Sequence, residues 1–341
     1  MTERREFIKK IAGVTASLML PVGSFAGNLS LGKDRLGEVL PMRKFGKTGE
    51  KVTMLGLGGY HIGWTTEKDA QETIEAALEG GIRFFDSAES YGPHTSEIRY
   101  GKYLTPKYRD LVFLMTKTQA KDAKTAQEHL EGSLERMKTD YLDLWQVHSV
   151  YTPEDVNTRV DEGVLEVVMK AKESGKVKHV GFTGHQNPKA HLRMLEVLNS
   201  KKYGDFMETC QMPINPVDAA YHSSFVNDVL PELLDRKYGV IAMKTLADGR
   251  FFPEKVMNGK VRWTSENPVV PGKMSISDAL NYAWSLPISV LVSGAENAEL
   301  IREKIKMAKD FTKLKEKERA NLISNVTELS NEGKVEYYKK V

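Results

Sequence analysis

Phe85-Asp86-Ser87-Ala88-Glu89-Ser90-Tyr91-Gly92 is the stretch of sequence that decides the fold. It follows a short apolar run, residues 82–85, which predicts a buried strand. Two more apolar runs end in the same way: residues 111–115 lead into Thr116-Lys117, and residues 142–147 lead into His148. Loops at the carboxyl ends of strands carry the active sites of α/β barrels. An acid, a tyrosine, a lysine and a histidine at three successive strand ends therefore predict an enzyme that transfers protons.

Strand-length apolar runs alternate with helix-length amphipathic segments from Lys51 onward. Eight such pairs predict an α/β fold, a (β/α)8 TIM barrel. The runs lack apolar–polar alternation, as expected for a parallel sheet that is buried on both faces. The predicted strands are residues 52–57, 82–85, 111–115, 142–147, 177–182, 206–211, 239–243 and 288–292. The predicted helices are residues 67–80, 95–104, 124–138, 161–174, 188–200, 222–237, 275–286 and 296–309.

No linker rich in Gly, Ser or Pro divides the chain, so we predict one domain after the N-terminal region. A long turn-rich segment, residues 247–273, follows the seventh strand. Loops of this length in compact domains are usually functional or disordered, and we expect a lid at the carboxyl face of the barrel. The charged segment 311–341 is predicted to form a helical tail outside the barrel, and it shows no residue pattern typical of chemistry.

Composition excludes several functions. The net charge is +3, with 40% hydrophobic and 28% charged residues, so charge gives no reason to expect a nucleic-acid partner. The single cysteine, Cys210, rules out an intrachain disulfide and a multi-cysteine metal centre, and we predict no metal. No apolar stretch is long enough to predict a membrane span in the mature protein.

The first 26 residues predict an export signal. Arg4-Arg5-Glu6-Phe7-Ile8-Lys9-Lys10 precedes a mostly apolar run, residues 11–20, and the small-residue site Ser24-Phe25-Ala26. The paired arginines resemble the twin-arginine type, which would make the Tat export machinery a partner and the periplasm the location. Residues 27–41 are then a linker. The alternative is a basic amphipathic N-terminal helix on a cytoplasmic protein.

Residues 42–310 resemble the aldo-keto reductase superfamily. Met42-Arg43-Lys44-Phe45-Gly46-Lys47-Thr48-Gly49 and Leu55-Gly56-Leu57-Gly58 look like that family's opening hairpin and first strand. Asp86, Tyr91, Lys117 and His148 match its catalytic tetrad in order and spacing. The resemblance implies a barrel with an N-terminal β-hairpin. It also implies an NAD(P)-dependent oxidoreductase that transfers hydride between nicotinamide and a small carbonyl or alcohol substrate.

Elementary acid–base chemistry fits these four residues. Hydride reduction of a carbonyl creates an alkoxide that must be protonated or stabilised at once. A tyrosine hydroxyl has a pKa of ~10, and a nearby ammonium lowers it by favouring the phenolate. Tyr91 is therefore the expected general acid or base, Lys117 tunes it, Asp86 holds Lys117, and His148 donates a hydrogen bond to the substrate oxygen.

The resemblance also implies where the dinucleotide binds. The candidate cofactor residues are Gly59, Thr183, Gln211, Met243, Lys244, Leu246, Ser293, Gly294, Ala295 and Asn297. Gly184 stands where the family often has an asparagine, and Met243 stands where a stacking tyrosine is common. Glu296 and Glu299 favour NAD by their charge, whereas the family as a whole favours NADP and Arg302 or Lys304 offers a cation for its phosphate. The choice between NAD and NADP stays open at this level.

Aromatic and histidine residues on the expected rim loops suggest a sugar or polyol substrate. Tyr60, His61 and Trp64 are the principal candidates, with His94, Tyr151 and Trp263 further along the chain; filling of the loop cores is the alternative. An exported enzyme would meet no soluble nicotinamide pool, so we expect the cofactor to be bound before export and kept. Two other functions remain: a non-catalytic cofactor-binding regulatory barrel, and a lyase or isomerase that forms a Schiff base through Lys117.

Overall fold

The computed structural model describes residues 32–257, 260–330 and 333–339, all of which belong to the unit Leu31–Val341. The strands are β1 (Gly32–Asp34), β2 (Gly37–Val39), β3 (Met42–Lys44), β4 (Lys51–Thr53), β5 (Leu55–Gly58), β6 (Phe84–Asp86), β7 (Phe113–Thr118), β8 (Leu142–His148), β9 (Val177–Thr183), β10 (Thr209–Pro213), β11 (Gly239–Met243), β12 (Glu254–Met257), β13 (Lys260–Thr264) and β14 (Val290–Gly294). The helices are α1 (Gly59–Trp64), α2 (Glu67–Glu79), α3 (Thr95–Tyr103), α4 (Thr105–Tyr108), α5 (Ala123–Arg136), α6 (Pro153–Asp161), α7 (Val164–Glu173), α8 (Pro188–Leu198), α9 (Pro216–Ala220), α10 (Leu230–Asp235), α11 (Ile276–Ser285), α12 (Ala298–Lys309) and α13 (Glu316–Val326).

The predicted parallel barrel is confirmed. Strands β5 to β11 pair in chain order, β11 pairs with β14, and β14 returns to β5, so the sheet closes with every pair parallel. The strands are almost entirely buried, as their continuous apolar character predicts. Because all eight strands run the same way, their carboxyl ends meet at one rim.

Several predicted boundaries are wrong, and each error has a local cause. The predicted strand 52–57 is two strands, since β4 pairs with β3 in a hairpin and only β5 enters the barrel. The predicted helix 161–174 begins later, at Val164, and a separate helix, α6, precedes it with Thr152 as its N-cap. The region 222–237 contains the five-residue π-helix Phe225–Val229 followed by α10, rather than one helix.

The β3–β4 hairpin closes the amino-terminal end of the barrel. The fully buried Phe45 ring, which follows β3, meets Phe84 at 6.0 Å and Phe113 at 5.4 Å between centroids, both edge-on. Edge-to-face packing at these distances is favourable for aromatic rings. This end is therefore filled by side chains, and the opposite rim is where a ligand can enter.

The long segment after β11 contains an antiparallel hairpin, β12–β13, that sequence patterns did not predict. Its strands carry exposed residues on most positions, which hides it from a search for apolar runs. The C-terminal segment forms α13 as expected. The chain then returns toward the barrel, where Val335, Glu336, Tyr338 and Lys339 are buried.

The described residues contain no helix that is both long and apolar enough to cross a membrane. In the same part of the chain, no group of three or more His, Cys, Asp and Glu residues is placed to hold a metal ion. The predicted signal, residues 1–26, lies outside the described residues.

Candidate active site

The four predicted catalytic residues come together at the carboxyl rim. Asp86 ends β6, Lys117 lies in β7 and His148 ends β8, while Tyr91 sits in the loop after β6. Lys117 Nζ is 2.5 Å from Asp86 Oδ1, and it donates to the Ser87 carbonyl at 2.6 Å and to the Tyr91 hydroxyl at 3.2 Å. The Tyr91 and His148 rings are 5.9 Å apart and nearly perpendicular. One buried cation thus links a carboxylate to a phenol.

Burial opposes the charges of this cluster. It raises the pKa of the Asp86 carboxyl and lowers the pKa of the Lys117 ammonium, and in each case the partner's charge acts in the opposite direction. Only 3% of Asp86 and 1% of Lys117 is exposed. Such a pair is stable only when both members are present, because either charge alone would be buried without compensation.

The resting Tyr91 differs from the expectation of a lowered pKa. Burial raises the pKa of its hydroxyl well above 10, and the negative charges of Asp86, Glu89 and Asp248 add to that rise. The Lys117 ammonium is close enough to stabilise a phenolate, yet three surrounding carboxylates and the apolar setting outweigh it. At neutral pH the phenol therefore keeps its proton.

His148 is neutral in this setting. Burial lowers its pKa well below 6.5, and Lys117 lowers it further. Its Nδ1 atom is buried and has no hydrogen-bond partner among the described residues. A neutral imidazole carries one N–H donor and one acceptor nitrogen, so His148 is suited to binding an oxygen atom at the rim.

Two glycines bring α1 against the loop that carries Tyr91. A Cβ atom on Gly59 would lie 2.2 Å from the Asp86 carbonyl oxygen, and one on Gly92 would lie 2.1 Å from the Gly63 carbonyl oxygen. Gly92 also has φ of +63°, a conformation that side chains disfavour. These contacts place the Tyr60 ring edge-on to the Tyr91 ring, with 5.6 Å between their centroids.

The candidates for the nicotinamide end form one patch beside the tetrad. Thr183 pairs in register with both His148 and Gln211, and Met243 ends the next strand. The Gln211 side chain hydrogen-bonds to Asp86, while its buried Oε1 has no hydrogen-bond partner among the described residues. A buried amide oxygen that accepts no hydrogen bond can accept one from a bound ligand. The site therefore fits the carboxamide of a nicotinamide.

The Ser293-Gly294-Ala295 segment is covered on one side. The His61 ring lies over Gly294, so close that a Cβ there would be 2.1 Å from Nδ1. The half-buried Lys304 donates to the Gly294 carbonyl, and desolvation lowers the pKa of Lys304 to about 8. Asn297 caps α12 through the Leu300 amide. The His61 ring therefore packs directly against the segment in which the dinucleotide phosphates are expected.

The segment that follows β11 is strained. Lys244, Ala247 and Asp248 all have positive φ (52°, 48° and 59°), which is uncommon for residues with side chains. Lys244 Nζ is 3.8 Å from Asp248 Oδ1, and burial lowers the pKa of Lys244. Leu246, the remaining candidate here, is half-buried beside them. Backbone strain of this kind persists only where the surrounding structure holds it in place, and it is found most often at ligand-binding and active sites.

The aromatic candidates form an exposed group next to the tetrad. Tyr60 is 43% exposed and Trp64 40% exposed, with ring centroids 6.2 Å apart. Trp64 and His61 also line a cavity of about 240 Å³, whose remaining walls are Thr65, Thr66, Asp69, Glu296 and Asn297. Trp263 lies on β13 instead, over the Arg250 guanidinium at 4.1 Å.

Sequence reasoning missed residues that the end of the chain brings to this rim. The Tyr338 ring lies 5.6 Å from His185 and 4.8 Å from Lys244 Nζ, and the Tyr337 hydroxyl is 2.5 Å from Asp248 Oδ2. The segment is anchored by buried Lys339, which pairs with Asp218 at 2.5 Å and Glu336 at 2.7 Å. The spacing of Tyr337, Tyr338 and Lys339 along the chain carries no signal of these contacts, because all of the partners except Glu336 are about 90 to 150 residues away.

Lys255, from the hairpin, was missed as well. Its Nζ atom is 4.0 Å from the position of a Cβ on Gly249, and its charge lowers the pKa values of His61, Lys244 and Lys304. Arg250 lies between the Trp263 and Tyr337 rings, which joins the hairpin to the C-terminal segment. The rim beside the tetrad thus gathers several cations.

Comparison with known proteins agrees with this geometry. The family model described as Aldo/keto reductase family matches residues 54–319. Aldo-keto reductase YhdN of Bacillus subtilis is 33% identical over 220 residues (59% of this chain, 61% of the relative), and L-galactose dehydrogenase of Arabidopsis thaliana is 28% identical over 223 residues (62% and 66%). The matches therefore span less than two thirds of each relative. Aldo-keto reductase AKR11C1 from Bacillus halodurans, in its holo form, shares the fold with a TM-score of 0.66 at 19% identity, covering 83% of this chain and 95% of that one. The chain belongs to the aldo/keto reductase family.

Proposed function

We propose that this protein is an NAD(P)-dependent oxidoreductase that acts on a carbonyl or alcohol substrate. The observation that carries the proposal is the buried Lys117 ammonium, which joins the Asp86 carboxylate to the Tyr91 hydroxyl beside His148. When bound, the nicotinamide supplies or accepts the hydride. The chain's own residues must then deliver or remove one proton at the substrate oxygen.

Tyr91 is the proposed general acid in reduction and general base in oxidation. Its raised pKa keeps the phenol protonated at rest, so the proton is available when an alkoxide forms. Once the proton has left, Lys117 Nζ faces the phenolate oxygen and compensates its charge. Neutral His148 orients the substrate oxygen by donating a hydrogen bond.

The test is Tyr91→Phe, which removes the proton and keeps the ring. With 4-nitrobenzaldehyde as probe substrate, we expect kcat to fall about 10²- to 10⁴-fold. Dinucleotide affinity, measured by fluorescence titration, should stay within twofold. A Tyr91→Phe protein that reduces the aldehyde at the wild-type rate would remove the catalytic role and leave the regulatory barrel as the better hypothesis.

The Schiff-base alternative is disfavoured by the surroundings of Lys117. Its Nζ atom is engaged by Asp86, the Ser87 carbonyl and Tyr91, and the side chain is buried. A paired ammonium has no free electron pair with which to attack a carbonyl carbon. Borohydride in the presence of aldehyde should therefore leave no adduct on Lys117, as read by mass spectrometry.

We further propose NAD rather than NADP as the cofactor. Glu296 and Asp69 line the cavity beside Asn297, and Lys304 is turned inward onto the Gly294 carbonyl. A 2′-phosphate in this cavity would face two carboxylates, with Lys304 already engaged by the Gly294 carbonyl, whereas a ribose hydroxyl can donate to a carboxylate. Calorimetric titration should give tighter binding of NAD. Glu296→Lys should reverse the preference, and Glu299→Lys, on the exposed face of α12, should not.

For the substrate we propose a neutral polyhydroxylated aldehyde or alcohol, such as a sugar. Support comes from the exposed Tyr60 and Trp64 rings beside the tetrad and from Asp248, whose charge reaches Tyr60 and Tyr91. Flat aromatic faces suit the apolar face of a sugar ring, and a carboxylate accepts hydrogen bonds from its hydroxyls. The relative named L-galactose dehydrogenase is consistent with this class. A substrate panel of sugars, simple aldehydes and carboxylated aldehydes tests it, and a preference for carboxylated aldehydes contradicts it.

We also propose that residues 1–26 direct twin-arginine export to the periplasm and that the protein carries its cofactor with it. The basic Arg4-Arg5 pair and the apolar run after it support export. The Arg250 stack between Trp263 and Tyr337 supports retention, because it fastens the hairpin next to Lys244 and Lys255. Replacing Arg4 and Arg5 by lysine should trap the protein in the cytoplasm. Mass spectrometry of the exported, denatured protein should find near one dinucleotide per chain, and an empty chain contradicts retention.

A further inference from the structure

Glu89 is a buried carboxylate behind the catalytic cluster, and only 3% of it is exposed. It lies two residues before Tyr91 in the same loop. Its Oε1 accepts from the Gln119 amide at 2.9 Å, and its Oε2 accepts from the Ser90 amide at 2.8 Å. The carboxylate therefore bridges the loop that carries Tyr91 and the chain just beyond β7, which carries Lys117.

The backbone of the same residue adds to this bridge. The Glu89 amide points at the Lys117 carbonyl, 3.5 Å away, and the Glu89 carbonyl accepts from the His94 amide at 2.9 Å. Glu89 thus contacts the lysine strand through its main chain and the following loop through its side chain. A residue with two such links sets the relative position of Tyr91 and Lys117.

Four charged or titratable groups face the Glu89 carboxylate. His129 on α5 is 3.5 Å from Oε1 through Nδ1, which also lies 2.8 Å from the Thr118 hydroxyl. Lys117, Tyr91 and Arg159 are close enough for the Glu89 charge to raise the pKa of each. The Glu89 carboxylate therefore acts on Lys117 and Tyr91 through its charge as well as through the position of the loop, although it lies behind them.

We propose that Glu89 is a positioning residue for the proton transfer: it fixes Tyr91 against Lys117 and holds a negative charge behind both. This inference rests on the proposed function, because it assigns a role within that proton-transfer step. It makes Glu89 distinct from the surface carboxylates, whose removal leaves the cluster unchanged.

The experiment compares Glu89→Gln with Glu128→Gln, which removes an exposed carboxylate of α5. Glutamine keeps the shape of Glu89 but loses its charge and one amide acceptor. The rates of 4-nitrobenzaldehyde reduction and of 4-nitrobenzyl alcohol oxidation are measured from pH 6 upward until the alkaline limb of the wild-type profile is reached, because the Tyr91 pKa lies well above 10. For Glu89→Gln we expect kcat about tenfold lower or more at its optimum, an unchanged KM for the dinucleotide, and a pH profile displaced to lower pH, because a negative charge that favours the neutral phenol is gone.

The displaced profile is the outcome that a merely structural role would not produce. Glu89→Asp restores the charge and should return the profile toward that of the wild type, even if kcat stays low because the shorter side chain does not reach both amides. Thermal melting shows whether each variant is folded. An unshifted profile in a folded Glu89→Gln, or a kcat within twofold of wild type, overturns the proposal. Failure of the proposed function is separate, since it appears as an active Tyr91→Phe.

Discussion

The buried pair Asp86–Lys117 gives the sharpest test of the site. Asp86→Asn leaves the lysine buried with its carboxylate partner replaced by a neutral amide. Removing one member of a buried ion pair costs about 3–5 kcal/mol of unfolding free energy, because the remaining charge is not compensated. At 3% and 1% exposure and 2.5 Å separation, this pair belongs in that range. Lys117 would lose its proton to avoid the cost, and Tyr91 would then lose the cation that stabilises its phenolate.

We therefore expect two losses in Asp86→Asn that a second substitution separates. Urea unfolding should give a free energy lower by about 3 kcal/mol or more, and kcat for 4-nitrobenzaldehyde should fall at least about 10²-fold. The double variant Asp86→Asn/Lys117→Met removes the stranded charge, so most of the stability should return. Its activity should not return, because no ammonium faces the phenol.

Melting curves and far-UV circular dichroism control for folding in both variants. Two results would refute the reasoning. One is an Asp86→Asn protein that unfolds within about 1 kcal/mol of wild type, which would mean that Lys117 is not held charged in a dry site. The other is a double variant that recovers activity, which would mean that Tyr91 works without a cation.

Three further predictions follow from the geometry. The rate of aldehyde reduction at saturating substrate should be flat from pH 6 to 9, because burial lowers the pKa of His148 well below 6.5 and raises the pKa of Tyr91 well above 10. A change of rate with pH inside this window would contradict a neutral His148 and a protonated Tyr91. Gly92→Ala should lower the melting temperature, measured by differential scanning calorimetry, much more than Gly175→Ala does. Both glycines have positive φ, but only at Gly92 would a Cβ collide with backbone atoms, so equal effects would argue against close packing there. Lys255→Gln should speed dinucleotide release roughly five- to tenfold in stopped-flow fluorescence, because it removes a cation whose charge acts on the candidate cofactor residue Lys244 and on its neighbours His61 and Lys304. Lys260→Gln on the same hairpin should not change the release rate, and equal release rates for the two variants would place Lys255 outside the cofactor site.

The sequence alone was enough for the barrel and for the choice of catalytic candidates. Each barrel strand is a local apolar run, and parallel strands bring their carboxyl ends to one rim whatever the helices between them do. Asp86, Lys117 and His148 stand at or near the ends of such runs, so their meeting follows from topology. Element boundaries were harder to predict: β4 and β5 look like one strand because they differ only in their pairing partners, and α6 lacks the apolar content that marks a helix.

The tertiary structure decided what surrounds those residues. Tyr91 was expected to have a lowered pKa from its lysine neighbour, but burial raises it, and so do the carboxylates of Asp86, Glu89 and the distant Asp248; sequence spacing reveals neither the burial nor the approach of Asp248. The contact of Tyr338 with His185 and the cover of His61 over Gly294 join residues about 150 and more than 230 positions apart. Local sequence propensity specifies helices and strands because residues close in sequence are near one another in every conformation of the chain. Burial and electrostatic environment exist only once distant segments have packed, which is why they had to be read from the folded chain.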